Sequence, residues 1–218
     1  LGRLATSGCR TPHIHFANEL GLVLEFYAPS TSSDIHYAEF GAELARLHLR
    51  KYAHYGDDAE VFLAALTLPK ISAQMNWNQA FVQCRLDVMY RRALAQDPKL
   101  GSINLNTLNG VTLPHEGPCL IHGDLWQGNI LSTHNGLLMI DPSCWIGERT
   151  IDIAMLQLFG DMPKVFWQAY FALYPLPSEI KRLIPLYQLY YALTHVALFG
   201  KRYTNLCLQL WQDHLAQS

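Results

Sequence analysis

Charge is scarce in this sequence. Only 16% of its 218 residues are Asp, Glu, Lys or Arg, whereas 50% are hydrophobic. This composition excludes an intrinsically disordered chain, because such chains have too little apolar surface to offset the entropy lost on ordering. The net charge of −2 provides no basic surplus for a phosphate backbone, so we expect no nucleic-acid partner.

Cysteine is equally limited. The sequence has five cysteines, an odd number, and no pair with C-x-x-C spacing. This argues against a disulfide framework or a zinc knuckle and favours reduced, mostly buried thiols in a cytoplasmic protein. The N-terminal residues contain no apolar run of the length that a signal peptide needs.

A long uninterrupted hydrophobic segment is also lacking. Residues 183–200 carry no Asp, Glu, Lys or Arg, and their number approaches that of a membrane span. The segment nevertheless contains Pro185, Gln188, Thr194 and His195, which do not suit a bilayer. We interpret it as a buried core helix and expect no membrane partner.

The spacing of apolar residues predicts the secondary structure. Residues 13–17 and 22–27 are rich in aromatic, β-branched and Leu side chains and flank a polar turn, which indicates a β-hairpin. From Asp34 the apolar residues recur every three or four positions, which indicates an amphipathic helix with Asp34 as its N-cap. Further helices are predicted over 77–97, 150–160, 163–174, 179–199 and to about 215, with loops within 52–76 and 99–117.

A compact β region interrupts the helices. Residues 118–122 predict a short strand, and residues 130–141 predict a hairpin. The hairpin's turn is expected at Asn135-Gly136, a pair that tolerates positive φ at both positions. After Pro142 we expect only helices. A hairpin enclosed by helices predicts an α+β fold.

Three side chains whose oxygen atoms can bind a metal ion are expected to converge in this β region. Asp124 lies in the loop 122–129, Asn129 opens the hairpin, and Asp141 closes it. A two-residue turn would pair the hairpin's ends, so we expect Asn129 and Asp141 to lie side by side near Asp124. The side-chain oxygens of Asn129 and Asp141 suit Mg²⁺. Asp124 is then left to accept a proton from a hydroxyl. These are the parts of a phosphoryl-transfer site.

The loop reads HGDLWQGN, and it is followed by IDPSCWIGERTIDIAM, FWQAYFALYPL and LYQLYYALTHVALFG. Over roughly residues 20 to 205 the sequence resembles the fructosamine kinases, which belong to the aminoglycoside-phosphotransferase-like branch of the protein-kinase-like fold. The resemblance implies a mostly helical C-terminal lobe and ATP-dependent phosphorylation of a ketosamine sugar. The acceptor would be a fructosamine or ribulosamine, as a small molecule or on a glycated protein, and the role deglycation or repair.

The resemblance also implies roles for individual residues. Asp124 would be the catalytic base, Asn129 and Asp141 would hold Mg²⁺, and Asp152 would brace the backbone of the catalytic loop. The adenine of ATP would meet the backbone of a hinge and lie on an apolar floor. The hinge residues would be Glu25, Phe26 and Tyr27, and the floor residues Leu131 and Ile140.

Two parts that the fold uses for phosphate binding are missing from the sequence. No Gly-rich loop precedes the hinge, and no lysine occurs before Lys51. The first residue is Leu, and about 24 residues before the hinge are too few for a five-stranded lobe. We therefore expect a truncated sequence. Residues 1–28 would be the remnant of an N-terminal β lobe with the hinge, and residues 29–218 the helical catalytic lobe.

Alternative functions stay open at this stage. Within the same branch, the acceptor could be choline, homoserine or an aminoglycoside. If the short N-terminus is natural, the chain could instead be a nucleotide-binding-deficient pseudokinase or an interaction module, and we expect weak Mg-ATP binding by these 218 residues. Trp126 could stack on a sugar or pack on the core, and Arg3 or Arg10 could contact phosphate.

Overall fold

The structure is a computed structural model that describes residues 1–57 and 60–217. Short helices and strands precede a large helical region. The helices are α1 (Gly2–Thr6), α2 (Asp34–Leu49), α3 (Asp87–Gln96), α4 (Thr150–Leu158), α5 (Lys164–Leu173), α6 (Ser178–Lys181), α7 (Ile184–Phe199) and α8 (Thr204–Leu215). The strands are β1 (Ile14–Asn18), β2 (Gly21–Leu24), β3 (Val61–Leu63), β4 (Leu66–Leu68), β5 (Cys119–Ile121), β6 (Ile130–Thr133), β7 (Gly136–Met139) and β8 (Trp145–Gly147).

The predicted N-terminal hairpin is present as β1 and β2. Its register pairs Ile14 with Leu24 and Asn18 with Gly21. The Asn18 side chain closes the turn by accepting hydrogen bonds from two backbone N–H groups. The second strand ends at Leu24 rather than at residue 27, so the residues predicted as the hinge follow the strand instead of belonging to it.

Helix α1 was not predicted, and it packs against the helical region. Leu4 and Cys9 are buried in the same hydrophobic cluster as Phe40 and Leu44 of α2. A backbone bond from Met139 to the carbonyl of Arg10 also joins this segment to β7. The expected division of the chain at residue 28 stays a prediction.

Helix α2 begins where the spacing predicts, but its N-cap is Ser33 rather than Asp34. The Ser33 hydroxyl accepts from the His36 amide, and the His36 ring accepts from the Ser33 amide in return. Asp34 is the first residue of the helix, where its negative charge interacts favourably with the positive end of the helix dipole.

The predicted helices elsewhere are confirmed with changes at two places. The stretch before α3 is a π-helical segment (Gln79–Leu86) that continues directly into α3. Helix α3 ends with Asp97 as its C-cap, as expected. The single helix expected over 179–199 is divided into α6 and α7. Pro185 stands at the start of α7, because a proline has no N–H to give and fits the first turn.

The prediction that only helices follow Pro142 is wrong. Strand β8 pairs antiparallel with β5, aligning Cys119 with Gly147 and Ile121 with Trp145. A second unpredicted pair, β3 with β4, lies within the segment expected to contain loops. Strands β3 and β4 are short and lie where the spacing of apolar residues follows no single period, and β8 depends on a partner about 25 residues away in the sequence.

The β6–β7 hairpin is present, but its turn lies one residue earlier than predicted. Thr133 pairs with Gly136, so His134 and Asn135 are the two central residues. The Thr133 hydroxyl accepts from the Asn135 amide and donates to the Gly136 carbonyl, which stabilises this turn. Asn135 does not adopt positive φ, whereas Gly136 does at +118°.

Two hydrophobic clusters form the core. One contains the stacked rings of Trp77, Phe81 and Trp145 together with Tyr187. The other lies between α2, α5 and the β6–β7 hairpin. All five cysteines are free thiols, and four of them are buried. Within residues 1–57 and 60–217, no helix is long and apolar enough to cross a membrane.

Candidate active site

The β6–β7 hairpin places two of the predicted residues at its open end. Ile130 pairs with Met139, and the next bond outward runs from the Ile140 amide to the Asn129 carbonyl at 3.0 Å. Asn129 is therefore opposite Ile140, and Asp141 is the following residue. The register puts Ile140, rather than Asp141, opposite Asn129, and the pairing of Asn129 with Asp141 stays a prediction.

Asp124 is held beside Asn129 by the amide of that side chain. The Asn129 Nδ2 donates to the Asp124 backbone carbonyl at 2.8 Å and to its Oδ2 at 3.2 Å. Burial raises the pKa of Asp124 to about 6, against the Asn129 bond, and the charges of Asp152 and Asp141 add to the rise. A carboxylate with a pKa near neutral can both take up and release a proton at physiological pH.

The loop that carries Asp124 is fixed from below by Asp152 on α4. The Asp152 carboxylate, fully buried, accepts from the His122 amide at 2.8 Å and from the Gly123 amide at 2.9 Å. His48 of α2 contacts the same carboxylate through Nε2 at 3.2 Å. This is the backbone-bracing geometry that the sequence resemblance implies for Asp152.

His122 and Tyr191 complete this support. The His122 Nε2 donates to the Ile140 carbonyl at 2.9 Å, while its Nδ1 accepts from the Asp124 amide at 3.3 Å. Burial lowers the pKa of His122, so the ring stays neutral in this role. From helix α7, the Tyr191 hydroxyl donates to the Gly123 carbonyl at 2.7 Å.

Asn129 and Asp141 offer oxygen atoms that suit a divalent cation. Asn129 donates hydrogen bonds from Nδ2 to Asp124. Its Oδ1 receives no hydrogen bond from the part of the chain that the structure describes. Asp141 is exposed and has φ +48°, a rare conformation for a non-glycine residue that is often found at functional sites. Amide and carboxylate oxygens fit Mg²⁺, which keeps waters and phosphates as its other ligands.

The described residues contain no group of three or more His, Cys, Asp or Glu arranged to hold a metal ion. A structural zinc centre, which needs four ligands, is therefore not present among these residues.

The predicted apolar floor lies on one face of the hairpin. Leu131 pairs with Leu138, and the alternation of side chains puts Ile140 and Asn129 on the same face. Leu131 and Ile140 are half-buried, whereas Leu138 is buried between them. The floor thus adjoins the metal-ligand candidate, and Leu138 is a member that the sequence did not suggest.

The predicted hinge has mixed properties. The Glu25 amide is used in the N-terminal hairpin, where it donates to the His13 carbonyl at 2.8 Å. The Tyr27 hydroxyl donates to the Glu25 carboxylate, and Phe26 is 85% exposed. The backbone amides of Phe26 and Tyr27 make no hydrogen bond within residues 1–57 and 60–217, so they are free to meet a ligand.

The two N-terminal arginines considered for phosphate contact are engaged elsewhere. Arg10 donates to the Glu43 carboxylate and to Glu39, and Arg3 pairs with Asp57. Their interactions with carboxylates are a structural alternative to phosphate binding.

A cavity of about 140 Å³ opens beside Asp124, and the sequence did not predict it. Leu63 is the last residue of β3, Ala64 lies in the β3–β4 turn, and Trp126 lies in the loop 122–129. The other lining residues are Met155 of α4 and Tyr191, Thr194, His195, Leu198 and Phe199 of α7. The available signal was the pair of adjacent polar residues Thr194-His195 within the mostly apolar helix α7.

Trp126 lines this cavity and is 40% exposed, with its ring lying over Gly128. Its position is compatible with stacking against a ligand. By contrast, Glu148 and Arg149 are buried in structural networks. Glu148 accepts from Tyr55 and two backbone amides, and Arg149 makes a two-pronged pair with Glu116.

The fold and this site define a class of protein. The structure superposes on a gentamicin-bound aminoglycoside phosphotransferase with a TM-score of 0.59 at 17% identity, covering 98% of this chain and 77% of the other. It superposes more closely on a protein named as a fructosamine-3-kinase from Thermobifida fusca. That TM-score is 0.86 at 28% identity, covering 96% of this chain and 75% of the other. The chain is a phosphotransferase with the protein-kinase-like fold.

Sequence comparison identifies the family within this class. The sequence profile of the fructosamine kinase family matches residues 7–217, and the chain belongs to that family. A probable ketoamine kinase of Thermus thermophilus is 37% identical over 216 residues, with 97% of this chain and 78% of the relative covered. One from Lactiplantibacillus plantarum is 34% identical, with 92% and 75% covered. The chain thus spans about three quarters of the length of these relatives.

Proposed function

We propose that the protein transfers the γ-phosphate of ATP to a sugar hydroxyl of a ketosamine, with Asp124 as the catalytic base. The observation that carries this proposal is the placement of Asp124. Its carboxylate accepts a hydrogen bond from Asn129, and Asp124 lines the cavity that we propose for the acceptor hydroxyl. A base must lie within hydrogen-bond reach of the proton that it removes, and the cavity provides that position.

Asn129 and Asp141 are proposed to hold Mg²⁺ through the amide Oδ1 and the carboxylate. When bound, the cation neutralises charge on the phosphates. The protein's own contribution is geometric. The hairpin bonds between Asn129 and Ile140 keep the two ligands together, and the bond from Asn129 to Asp124 ties the ligand to the base.

The nucleotide is proposed to lie between the hinge and the hairpin. Glu25, Phe26 and Tyr27 would meet adenine through backbone groups, of which the amides of Phe26 and Tyr27 are unengaged. Leu131 and Ile140 would contact the base from the hairpin face. This orientation would direct the phosphates toward Asn129, because Leu131, Ile140 and Asn129 lie on one face of the hairpin.

The acceptor class is proposed from the names of the relatives, which are ketoamine kinases and a fructosamine-3-kinase. A fructosamine or ribulosamine, free or on a glycated protein, fits this class. Phosphorylation of such an adduct would make the protein a deglycation or repair enzyme.

The variant Asp124→Asn tests the proposal. We expect phosphorylation of a small fructosamine, followed by ³¹P NMR at millimolar Mg-ATP, to fall by about 10² to 10⁴-fold, because the amide cannot accept the hydroxyl proton. Asp87→Asn is the matched control, since Asp87 forms a surface pair with Arg91 on α3. Full activity of Asp124→Asn would refute the assigned role.

An acceptor panel separates the proposed substrate from others used in this fold. Fructosamine, ribulosamine, choline, homoserine and an aminoglycoside are compared at equal concentration. Preferential phosphorylation of either ketosamine supports the proposal, whereas preference for any of the other three would replace the substrate class and leave the kinase activity intact.

A further inference from the structure

The cavity beside Asp124 contains polar side chains whose hydrogen atoms are mostly committed to the protein. The Tyr191 hydroxyl donates to the Gly123 carbonyl at 2.7 Å. The Thr194 hydroxyl donates to the Tyr190 carbonyl at 2.8 Å. These two lining residues therefore have no hydroxyl hydrogen left for a ligand.

His195 is different because one of its ring nitrogens is left over. Its Nδ1 lies 2.8 Å from the Tyr191 carbonyl, which can only accept, so Nδ1 carries the hydrogen. In a neutral ring Nε2 is then an acceptor. Burial lowers the pKa of His195, which favours the neutral ring. No described residue bonds to Nε2, so this atom is available to a ligand.

The orientation of the His195 ring is fixed by its neighbours. The Phe159 ring centre lies 4.5 Å away, and the Tyr203 ring centre lies 5.0 Å away on the chain segment before α8. Together with the Nδ1 bond, these contacts restrict rotation of the ring. A fixed acceptor distinguishes ligands by geometry better than a mobile one, because its orientation is set before binding.

The remaining walls are apolar. Leu63, Met155 and Phe199 line the cavity, and the Trp126 ring is half-exposed beside them. Such walls suit the carbon-bound hydrogens of a sugar. The lining of the cavity thus combines two residues that carry acceptors, Asp124 and His195, with apolar side chains.

We propose, building on the function proposed above, that His195 is a specificity-determining residue whose Nε2 accepts a hydrogen bond from a second hydroxyl of the acceptor. The first hydroxyl donates to Asp124 and is the one phosphorylated. The acceptor class is therefore a polyol that presents two hydroxyls to the two acceptors.

This arrangement discriminates among acceptors of kinases with this fold. A ligand with a single hydroxyl, such as choline, would cover the partly buried Nε2 without pairing it, and an acceptor left unpaired on binding costs binding free energy. An aminoglycoside carries several positive charges. Asp124 is the one carboxylate among the lining residues, so the cavity lining offers little compensation for those charges. A sugar with adjacent hydroxyls satisfies both acceptors.

Ligand binding to the 218-residue chain without nucleotide tests this assignment. Calorimetric titration with fructosyl-glycine, a small ketosamine, is performed on the parent chain, His195→Phe and His195→Gln. We expect about tenfold weaker binding by His195→Phe, which keeps a ring but removes the acceptor, and partial recovery by His195→Gln, which restores one. His134→Phe, at the exposed β6–β7 turn, should bind like the parent.

Single-deoxy analogues of the sugar separate a contact from a structural effect. For the parent chain, one analogue should bind about tenfold more weakly than the intact ketosamine, and His195→Phe should bind that analogue and the ketosamine equally. Equal ketosamine binding by the parent and His195→Phe would overturn the role of His195 alone. Absence of ketosamine binding to the parent, with binding of choline instead, would overturn the proposed function and this inference with it. If His195→Phe fails to fold, the deoxy series on the parent still tests the assignment, which requires two different hydroxyls to weaken binding when each is removed. A loss at one hydroxyl only would overturn it.

Discussion

The catalytic loop and the N-terminal hairpin are both short β-associated segments, yet they are held in opposite ways. The loop 122–129 is hydrogen-bonded to α4 through Asp152, to α7 through Tyr191 and to the Ile140 carbonyl after β7. Asp152 is 0% exposed and is also bonded to His48 of α2. The β1–β2 hairpin is held mainly by its own ladder, and Leu20 at its turn is 95% exposed.

The difference indicates where this protein needs a fixed geometry. A base that must meet a hydroxyl within a few tenths of an ångström requires support from several elements. The proposed hinge, which would meet adenine through its backbone groups, requires less. Substitutions in the two regions should therefore differ in their effects on stability and on activity.

The largest effect is expected for Asp152→Asn. The Asn side chain keeps one acceptor oxygen, but its NH₂ group would face the backbone N–H of His122 or of Gly123, so one of these donors loses its acceptor. The negative charge beside His48 is lost as well. We expect a loss of about 3 to 5 kcal/mol in the free energy of unfolding, because buried donors lose their partner. Urea denaturation followed by circular dichroism measures this.

Asp87→Asn is the control, since it removes a partly exposed i,i+4 pair with Arg91 and should change stability by less than about 1 kcal/mol. Similar losses for the two variants would mean that the loop does not depend on Asp152.

Much of this comparison could be predicted from the sequence, and the reasons are physical. HGDLWQGN and Asp141 lie close together in the chain, so their spacing and the hairpin between them define the site without distant information. Asp152 follows within the same stretch. The long helices α2, α4, α5 and α8 show regular apolar spacing and were predicted for that reason.

The missed features depend on contacts between distant segments. Strand β8 forms only because β5 is available, and Ala64 lines the cavity only because the β3–β4 turn folds over α7. The β6–β7 turn was misplaced because the Thr133 side chain competes with the Asn-Gly preference. A local pattern contains none of these terms.

The next effect concerns Gly123, at the centre of the catalytic loop. Its φ is +80°, and a Cβ there would overlap the Ser143 carbonyl oxygen. Gly110 has the same φ of +80° with open space around it. We expect Gly110→Ala to cost about 1 kcal/mol from backbone strain alone, and Gly123→Ala to cost at least about 2 kcal/mol more from the overlap.

Thermal unfolding and kinase activity are measured on both variants. The difference between them isolates the steric term, because the backbone conformation is matched. Equal destabilisation by the two substitutions would show that the loop can move away from Ser143, contrary to the rigid loop described above.

A smaller, pH-dependent effect is expected at His48. Burial lowers the pKa of this ring, which donates through Nε2 to Asp152 and accepts from the Tyr170 hydroxyl. Below pH 6.5 the unfolded chain binds a proton that folded His48 does not. Stability is therefore lost as pH falls below 6.5, by up to about 1.4 kcal/mol per pH unit from this residue.

The variant His48→Gln should lack that component of the pH dependence, although its stability at pH 8 is lower. Urea midpoints between pH 5.5 and 8 give the slope. His134→Gln, at an exposed turn, serves as the control and should retain the parent's slope. An unchanged slope in His48→Gln would mean that the histidine is already protonated in the folded protein.

The smallest effect is expected in the N-terminal hairpin, for Leu20→Ala. Leu20 lies at the exposed turn and contacts little, so truncation should change the free energy of unfolding by less than about 0.5 kcal/mol. Leu125→Ala makes the same chemical change in the catalytic loop, where the side chain is 0% exposed, and should cost about 2 to 5 kcal/mol. Denaturant unfolding of the two variants compares the regions directly, since the deleted atoms are identical. A Leu20→Ala loss as large as that of Leu125→Ala would require the hairpin to be covered in the folded protein, and the contrast between the regions would then disappear.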